Sequence, residues 1–201
     1  RKWVKPTLPY SLSVRAPQVM ADEVFDYAPF IEEFRNTVKQ NRDVVAAALF
    51  EPIISNGGLF YPQKEYWQEI RKICDENDIY LIFDACQTGF GRTGTWFYYQ
   101  QLGCVPDMLV SAKGMGLGFP VSMVVFNGNR FGNDNFGMHH FSSHQNEPFS
   151  SELILQAIKT IKEQELLRNV AEIGTYLVTQ LKNLETEFDI LTNTRGKGLM
   201  C

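Results

Sequence analysis

Two residues of this sequence that could do covalent chemistry together follow separate apolar segments. Asp84 comes directly after the segment 79–83, and Lys113 lies in the glycine-rich stretch 111–118, just after the segment 108–110. A lysine amine forms a Schiff base with an aldehyde, and a carboxylate keeps a pyridinium nitrogen protonated. Pyridoxal phosphate needs both groups, because its protonated ring is the electron sink. Flanking glycines allow close backbone approach to a ligand, and an apolar setting favours the neutral, nucleophilic amine.

Each of the two residues has an ordinary explanation when it is taken alone. An aspartate after a strand is often a helix cap or a loop anchor, and most lysines are surface residues. The combination of Asp84, Lys113 and the nearby Gln87 is what indicates cofactor chemistry, because a fold by itself does not require all three.

The elements that must position these residues follow an α/β pattern. Continuous apolar runs and helical spacing of apolar residues alternate along the chain. They predict strands at 44–50, 79–83, 108–110 and 121–126, and helices at 30–40, from 62 to about 78, from 150 or 151 to about 167, and from 171 to about 188. Strands that are apolar throughout predict a sheet covered on both faces.

The predicted sheet brings residues that are distant in sequence to one edge. Ligands of open α/β sheets lie at the carboxyl ends of the strands. Glu51, Asp84, Lys113 and the polar stretch 140–148 are therefore expected to converge on one site.

Composition excludes several classes of protein. The chain has 201 residues, 44% hydrophobic and 21% charged, with a net charge of −4. This charge, without a basic stripe, argues against nucleic-acid binding, and no apolar run is long enough to predict a membrane-spanning helix. The four cysteines form no CxxC pair, which argues against a zinc ribbon. They are typical of reduced thiols in the cytoplasm or an organelle matrix.

The two blocks that contain Asp84 and Lys113, at 82–94 and 106–114, resemble the signature of class III aminotransferases. These are pyridoxal-phosphate enzymes of fold type I. Further blocks of the family resemble residues 51–58, 142–148 and 195–200, so that the resemblance covers about residues 44–201.

The resemblance implies a fold and a domain organisation. The fold would be a three-layer α/β sandwich with a mostly parallel sheet. Residues 1–170 would form the cofactor-binding large domain without its N-terminal part, and residues 171–201 a helix and the start of a truncated small C-terminal domain. Since the chain begins at Arg1 and stops at Cys201, it is expected to be the central part of a longer enzyme.

The resemblance also assigns roles to residues. Asp84 would pair with the pyridinium nitrogen, and Gln87 would lie near the ring hydroxyl. Lys113 would hold pyridoxal 5'-phosphate as an internal aldimine and then act as general acid/base. Ser143 stands where the family usually has Thr, and would donate to the phosphate in the partner subunit of a homodimer. The reaction would be transamination between an amino donor and a keto acid, with Lys113 and Asp84 as catalytic residues and no metal.

Departures from the family pattern leave the subfamily open. Ala85 and Cys86 replace the usual Glu and Val or Ala. In block 51–58, Ser55-Asn56 is closer to dialkylglycine decarboxylase, in which transamination depends on decarboxylation. Decarboxylation-dependent transamination is therefore the alternative reaction that uses the same cofactor.

Other classes of function remain as alternatives. The run Gly89 to Gly94 fits G-x-G-x-x-G, the dinucleotide fingerprint of oxidoreductases, although it does not follow its strand directly. Three histidines, His139, His140 and His144, with Glu147 beyond them could form a metal site, but a polar loop explains them better. Cys86 and Cys104 could be redox-active thiols, although buried structural cysteines are commoner. A catalytically inactive structural homologue is the last alternative.

Overall fold

The structure of the protein is a computed structural model that describes residues 12–19, 25–131 and 143–201. The helices are α1 (Ala28–Gln40), α2 (Lys64–Glu76), α3 (Gly128–Phe131), α4 (Pro148–Glu163) and α5 (Leu166–Glu187). The strands are β1 (Ala47–Phe50), β2 (Tyr80–Asp84), β3 (Met108–Ala112) and β4 (Ser122–Phe126). Two short 3₁₀ helices span Tyr98–Gln101 and Lys113–Gly116. No helix in the described ranges is both long enough and apolar enough to cross a membrane.

The four strands form one sheet in chain order. β1, β2 and β3 are parallel, and β4 pairs with β3 in the antiparallel direction. Phe50 is in register with Phe83, and Asp84 with Val110. The prediction of an α/β protein with a mostly parallel sheet is confirmed.

One face of the sheet carries the hydrophobic core. Leu81 and Phe83 of β2 are fully buried there, and Trp67 of α2 contacts the ring of Phe83 edge-on, with 5.2 Å between ring centroids. Phe50 packs edge-on against the same indole at 5.6 Å and against Phe34 of α1. Aromatic pairs of this geometry add about 1 kcal/mol to the energy of area burial. The amphipathic faces of α1 and α2 therefore fix the positions of β1 and β2.

The opposite face of the sheet is more exposed. Leu49 of β1 is 63% exposed and Val124 of β4 is 50% exposed, while Ile82, Asp84 and Val110 are partly buried between them. Among the described residues, this face of the sheet is therefore open at Leu49 and Val124, whereas the core face is fully packed. An apolar run indicates that both faces of a strand can be buried, but it does not identify the element that covers the second face.

Several element boundaries differ from prediction. β1 starts at Ala47 because the turn after α1 extends to Val44, whose N–H donates to the Asn41 carbonyl at 3.0 Å. α4 begins at Pro148, before the predicted serine cap, since proline is favoured in the first turn of a helix. The last two helices meet at Glu165, which has a left-handed φ of 49°.

A buried ion network closes the amino end of the sheet. Asp107, 2% exposed, accepts hydrogen bonds from Arg71 of α2 at 2.8 Å and from Arg130 of α3 at 3.1 Å. Its carboxylate also accepts the Leu81 N–H at 2.7 Å. One carboxylate thus joins two helices and strand β2 at the end of the sheet opposite to Lys113.

We expect Asp107→Asn to destabilise the protein by about 2 kcal/mol, because it removes the charged partner of two arginines while keeping the side-chain shape. The melting temperature should fall by roughly 4–8 °C, measured by calorimetry. Asp75→Asn is the matched control, since the exposed Asp75 contacts Arg71 alone, at 2.9 Å, and its loss should change stability by less than about 1 kcal/mol. Equal melting temperatures for the two variants would contradict this role of Asp107.

Candidate active site

The carboxyl ends of the three parallel strands meet at one edge of the sheet. Glu51 follows β1, Asp84 ends β2, and Lys113 follows β3. Because Asp84 is in register with Val110, Lys113 lies three positions, or about 10 Å, further along the sheet. This is the edge at which open α/β sheets bind ligands, and the predicted convergence of these three residues is found there.

Asp84 is held in place by the turn that follows it. Its Oδ1 accepts a hydrogen bond from the Cys86 N–H at 2.9 Å, and the Ala85 N–H donates to the Val110 carbonyl at 2.8 Å. Asp84 alternates with the buried Phe83, so its side chain lies on the open face of the sheet. The carboxylate is fixed by its own backbone turn and keeps acceptor capacity for a ligand.

Lys113 has an unusual backbone conformation. Its φ is +54°, in the left-handed region that residues other than glycine rarely adopt. Such strained residues concentrate at functional sites. The side chain is exposed and makes no ion pair with another described residue. The described residues, including the flanking Gly114 and Leu117, leave this side chain exposed.

Gln87 contacts a loop that comes from β1. Its Nε2 lies 3.5 Å from Oδ1 of Asn56. Asn56 is carried by the loop 54–60, which is closed by two backbone hydrogen bonds between Ile54 and Phe60, of 2.8 and 3.2 Å. The sequence indicated Asn56 only as a marker of subfamily, and the structure places it beside a candidate cofactor residue.

Cys86 lies among the charged residues of the site. Burial raises the pKa of its thiol to about 11, assisted by a hydrogen bond to Asp84 and by the charge of Glu51, while Lys113 acts in the opposite direction. Burial also raises the pKa of Cys104 to about 12. Since the thiolate is the reactive form of cysteine, the structure does not support either residue as a redox-active thiol.

We expect Cys86 to resist alkylation in the cofactor-free protein, because a pKa near 11 leaves about one thiolate per thousand molecules at pH 8. Asp84→Asn should lower the Cys86 pKa and speed its reaction with iodoacetamide by roughly threefold or more, since a carboxylate next to a thiol disfavours the thiolate. Glu51→Gln should have a smaller effect. Peptide mapping of the label across pH 7–11 measures this, and labelling of wild-type Cys86 at the rate of a small free thiol would contradict it.

Ser143 lies apart from these residues. It is exposed in the turn 143–146 and forms no hydrogen bond with another residue of the described chain. The adjoining residues His144 to Glu147 line an open groove of about 950 Å³ between β4 and the start of α4. Neither Asp84 nor Lys113 lines this groove.

The dinucleotide alternative does not fit the local structure. The run Gly89 to Gly94 lies in a series of turns and leads only to the short 3₁₀ helix at Tyr98–Gln101. A dinucleotide fingerprint requires a helix whose N-terminus faces the pyrophosphate. The run packs instead against the chain end, where the Leu199 N–H donates to the Arg92 carbonyl at 3.1 Å.

The histidine cluster is only partly described. His139 and His140 lie outside the described residues, whereas His144 borders the groove beside α4. Within residues 12–19, 25–131 and 143–201, no three His, Cys, Asp or Glu side chains are grouped closely enough to hold a metal ion.

Comparison with known proteins decides the family. The family model described as aminotransferase class-III matches residues 1–201, the whole chain. The chain belongs to the class III aminotransferase family. The predicted resemblance is therefore confirmed, and members of this family depend in general on pyridoxal phosphate.

Individual class III relatives match most of the chain. The acetylornithine aminotransferase of Methanosarcina acetivorans is 37% identical over 185 residues, which are 92% of this chain and 45% of that protein. The leucine/methionine racemase of Thermococcus litoralis is 35% identical and is matched over 79% of this chain and 35% of its own length. The chain thus spans less than half the length of these curated relatives.

A solved transaminase structure shares the fold. A transaminase from the marine bacterium Virgibacillus superposes with a TM-score of 0.80 at 27% identity, over 86% of this chain and 40% of that one. The predicted fold, the α/β fold type I of pyridoxal-phosphate-dependent transferases, is confirmed by this match.

Proposed function

We propose that the protein is part of a pyridoxal-phosphate-dependent aminotransferase, in which Asp84 and Lys113 act on the cofactor. The observation that carries this proposal is the position of an anchored carboxylate and of an exposed lysine, without an ion pair to another described residue, at the ends of adjacent parallel strands. This pair occurs in a member of the class III family, and acetylornithine aminotransferase is among its relatives.

The residues present fit the cofactor. Asp84 offers a hydrogen-bond acceptor and Lys113 an amine, at the ends of two adjacent strands. This separation suits a ring that has a nitrogen at one edge and an aldehyde at the other. Gln87 adds an amide that can donate to the ring hydroxyl. When bound, pyridoxal phosphate supplies an aldehyde that condenses with amines and a ring that withdraws electrons from the α-carbon.

Two of these side chains, Asp84 and Lys113, then have distinct tasks. The Asp84 carboxylate would keep a proton on the ring nitrogen through a charge-assisted hydrogen bond. The Lys113 amine would hold the cofactor, and once free it would carry the proton of the α-carbon as general acid/base. Overall, one amino acid and one keto acid exchange their amino and keto groups.

A homodimer would complete the phosphate site. We assign Ser143 to the phosphate in the partner subunit, a role supported by its exposure and by its lack of hydrogen bonds to other described residues. The division into a large domain at 1–170 and the start of a small domain at 171–201 belongs to the same proposal. All four cysteines are free, which supports a reducing compartment, the cytoplasm or an organelle matrix.

The proposal is tested on the protein expressed from its complete gene. The purified protein should absorb at the violet edge of the visible spectrum through lysine-bound pyridoxal phosphate. It should convert a carboxyl-labelled amino donor to a keto acid that keeps its label. The absence of both the absorption band and the keto product would overturn the proposal, and would leave an inactive homologue.

Two other outcomes of the same assay distinguish neighbouring reactions. Formation of the opposite enantiomer without a keto product would indicate racemisation, the activity named for the Thermococcus relative. Release of labelled carbon dioxide in proportion to keto product would indicate decarboxylation-dependent transamination, the alternative suggested by Ser55-Asn56. The reaction depends on which bond to the α-carbon stands perpendicular to the ring, and small polar groups near the substrate carboxylate can select that bond.

A further inference from the structure

Arg195 connects the C-terminal part of the chain with the loop that carries Asn56. Its Nε donates to the Gly58 carbonyl, and its guanidinium carbon lies 5.0 Å from the centre of the Phe60 ring. Its Nη1 donates to the Asn193 carbonyl at 3.0 Å. One side chain thus combines a charge-assisted hydrogen bond with a cation–π contact.

The loop 54–60 depends on this contact for its shape. Gly58 has a φ of +122°, and a side chain there would lie 2.9 Å from the Phe60 ring and 3.3 Å from the Arg195 guanidinium. Leu59 also has a left-handed φ, of 60°. Glycine adopts a positive φ at no steric cost, but the left-handed conformation of Leu59 is costly unless the surroundings hold it. Arg195 supplies part of that support from outside the loop.

The segment that carries Arg195 is itself fixed at two points. The Tyr61 hydroxyl donates to the Gly196 carbonyl at 3.2 Å, and the Leu199 N–H donates to the Arg92 carbonyl at 3.1 Å. A side chain on Gly198 would meet backbone atoms of Thr93 at 2.8 Å. The segment 195–200 therefore packs against both the loop 54–60 and the turns that follow Gln87.

We infer that Arg195 is a positioning residue that holds Asn56 beside Gln87 and so sets the affinity for the amino donor. Arg195 donates to the Gly58 carbonyl, and Gly58 belongs to the same loop as Asn56. Oδ1 of Asn56 in turn lies 3.5 Å from the side-chain amide nitrogen of Gln87. Arg195 acts on the loop backbone, and Asn56 contacts Gln87, the residue that the proposed function places near the ring hydroxyl of the cofactor. This inference rests on the proposed function, and it assigns to Asn56 a part in substrate recognition.

The test compares Arg195→Ala with Arg168→Ala in the complete holoenzyme. Arg168 is the matched control, because it is an arginine with a 68% exposed side chain on α5 whose ion pairs within the described chain are those with Glu165 and Glu172 at the surface. Arg195→Ala should lower kcat/KM about tenfold to a hundredfold, mainly by raising KM for the amino donor. Cofactor absorbance should be retained, and Arg168→Ala should match wild type.

A second measurement follows the loop directly. Amide hydrogen exchange of residues 54–60 should increase in Arg195→Ala and stay unchanged in Arg168→Ala, because four amides of this loop are hydrogen-bonded within it. Arg195→Lys, which keeps a donor and a positive charge but not the planar guanidinium, should give intermediate exchange and intermediate KM. It also provides the readout if the alanine variant does not fold.

A double-mutant cycle separates positioning from a general structural role. If Arg195 acts through Asn56, then Arg195→Ala should lower kcat/KM by less than about twofold in an Asn56→Ala background. An equal loss in both backgrounds, or a lowered melting temperature with unchanged KM, would overturn the inference. A wild-type protein with no cofactor band and no turnover would overturn the proposed function instead, and hydrogen exchange would still report whether Arg195 holds the loop.

Discussion

Replacement of Lys113 by alanine is expected to abolish turnover, with a loss of at least about four decades in kcat. In the proposed function, this residue supplies the amine that both holds the cofactor and moves the proton, so that its loss removes both tasks. Lys113→Arg should be equally inactive, because a guanidinium keeps the charge but is not a nucleophile. The measurement is single-turnover conversion of the amino donor, together with the visible spectrum.

The fold should survive this substitution, since the Lys113 side chain is exposed and no ion pair joins it to another described residue. Lys159→Ala, an exposed lysine of α4 with a distant ion pair to Glu163 at 4.0 Å, is the control and should retain full activity. Borohydride should fix the cofactor to Lys113 in the wild-type protein and to no residue in Lys113→Ala. A trapped cofactor that maps to a different lysine would show that the assignment is wrong.

Asp84→Asn is expected to lower kcat by two decades or more. Asparagine keeps the size of the side chain and can still accept the Cys86 N–H, but it loses the charge that, in the proposed function, keeps the ring nitrogen protonated. Removing a preorganised charge partner of the transition state typically costs about 3 kcal/mol. Steady-state kinetics at saturating donor measure the loss, and Asp75→Asn, an exposed carboxylate on α2, controls for the change in net charge.

The Asp84 result also separates two roles of one carboxylate. If Asp84 only anchors the turn through Cys86, then Asp84→Asn should retain near-wild-type kcat, because the anchoring hydrogen bond of 2.9 Å survives the substitution. A loss of two decades with an unchanged melting temperature would assign the residue to the chemistry.

The sequence contained enough information for the order of the elements and for the pair of site residues. Apolar runs predicted all four strands, and helical spacing predicted α1, α2, α4 and α5 to within a few residues, because burial acts on each strand and helix locally. Asp84 and Lys113 could be recognised as candidates because each lies at the carboxyl end of a strand, and parallel strands bring their carboxyl ends to one edge. The local spacing of residues thus determined the fold class and the position of this pair.

The tertiary structure decided the features that depend on which other residues pack against a given side chain. It showed that Leu49 and Val124 are exposed and that Asp107 joins Arg71 to Arg130. It also placed Arg195 on the Gly58 carbonyl, across 137 positions of sequence. These contacts join residues that have no periodic relation in the chain, and their energy exists only after the strands and helices have packed. An apolar run or a single charged residue indicates that a packing partner or a charge partner is required. The packing of the folded chain determines which residue that partner is.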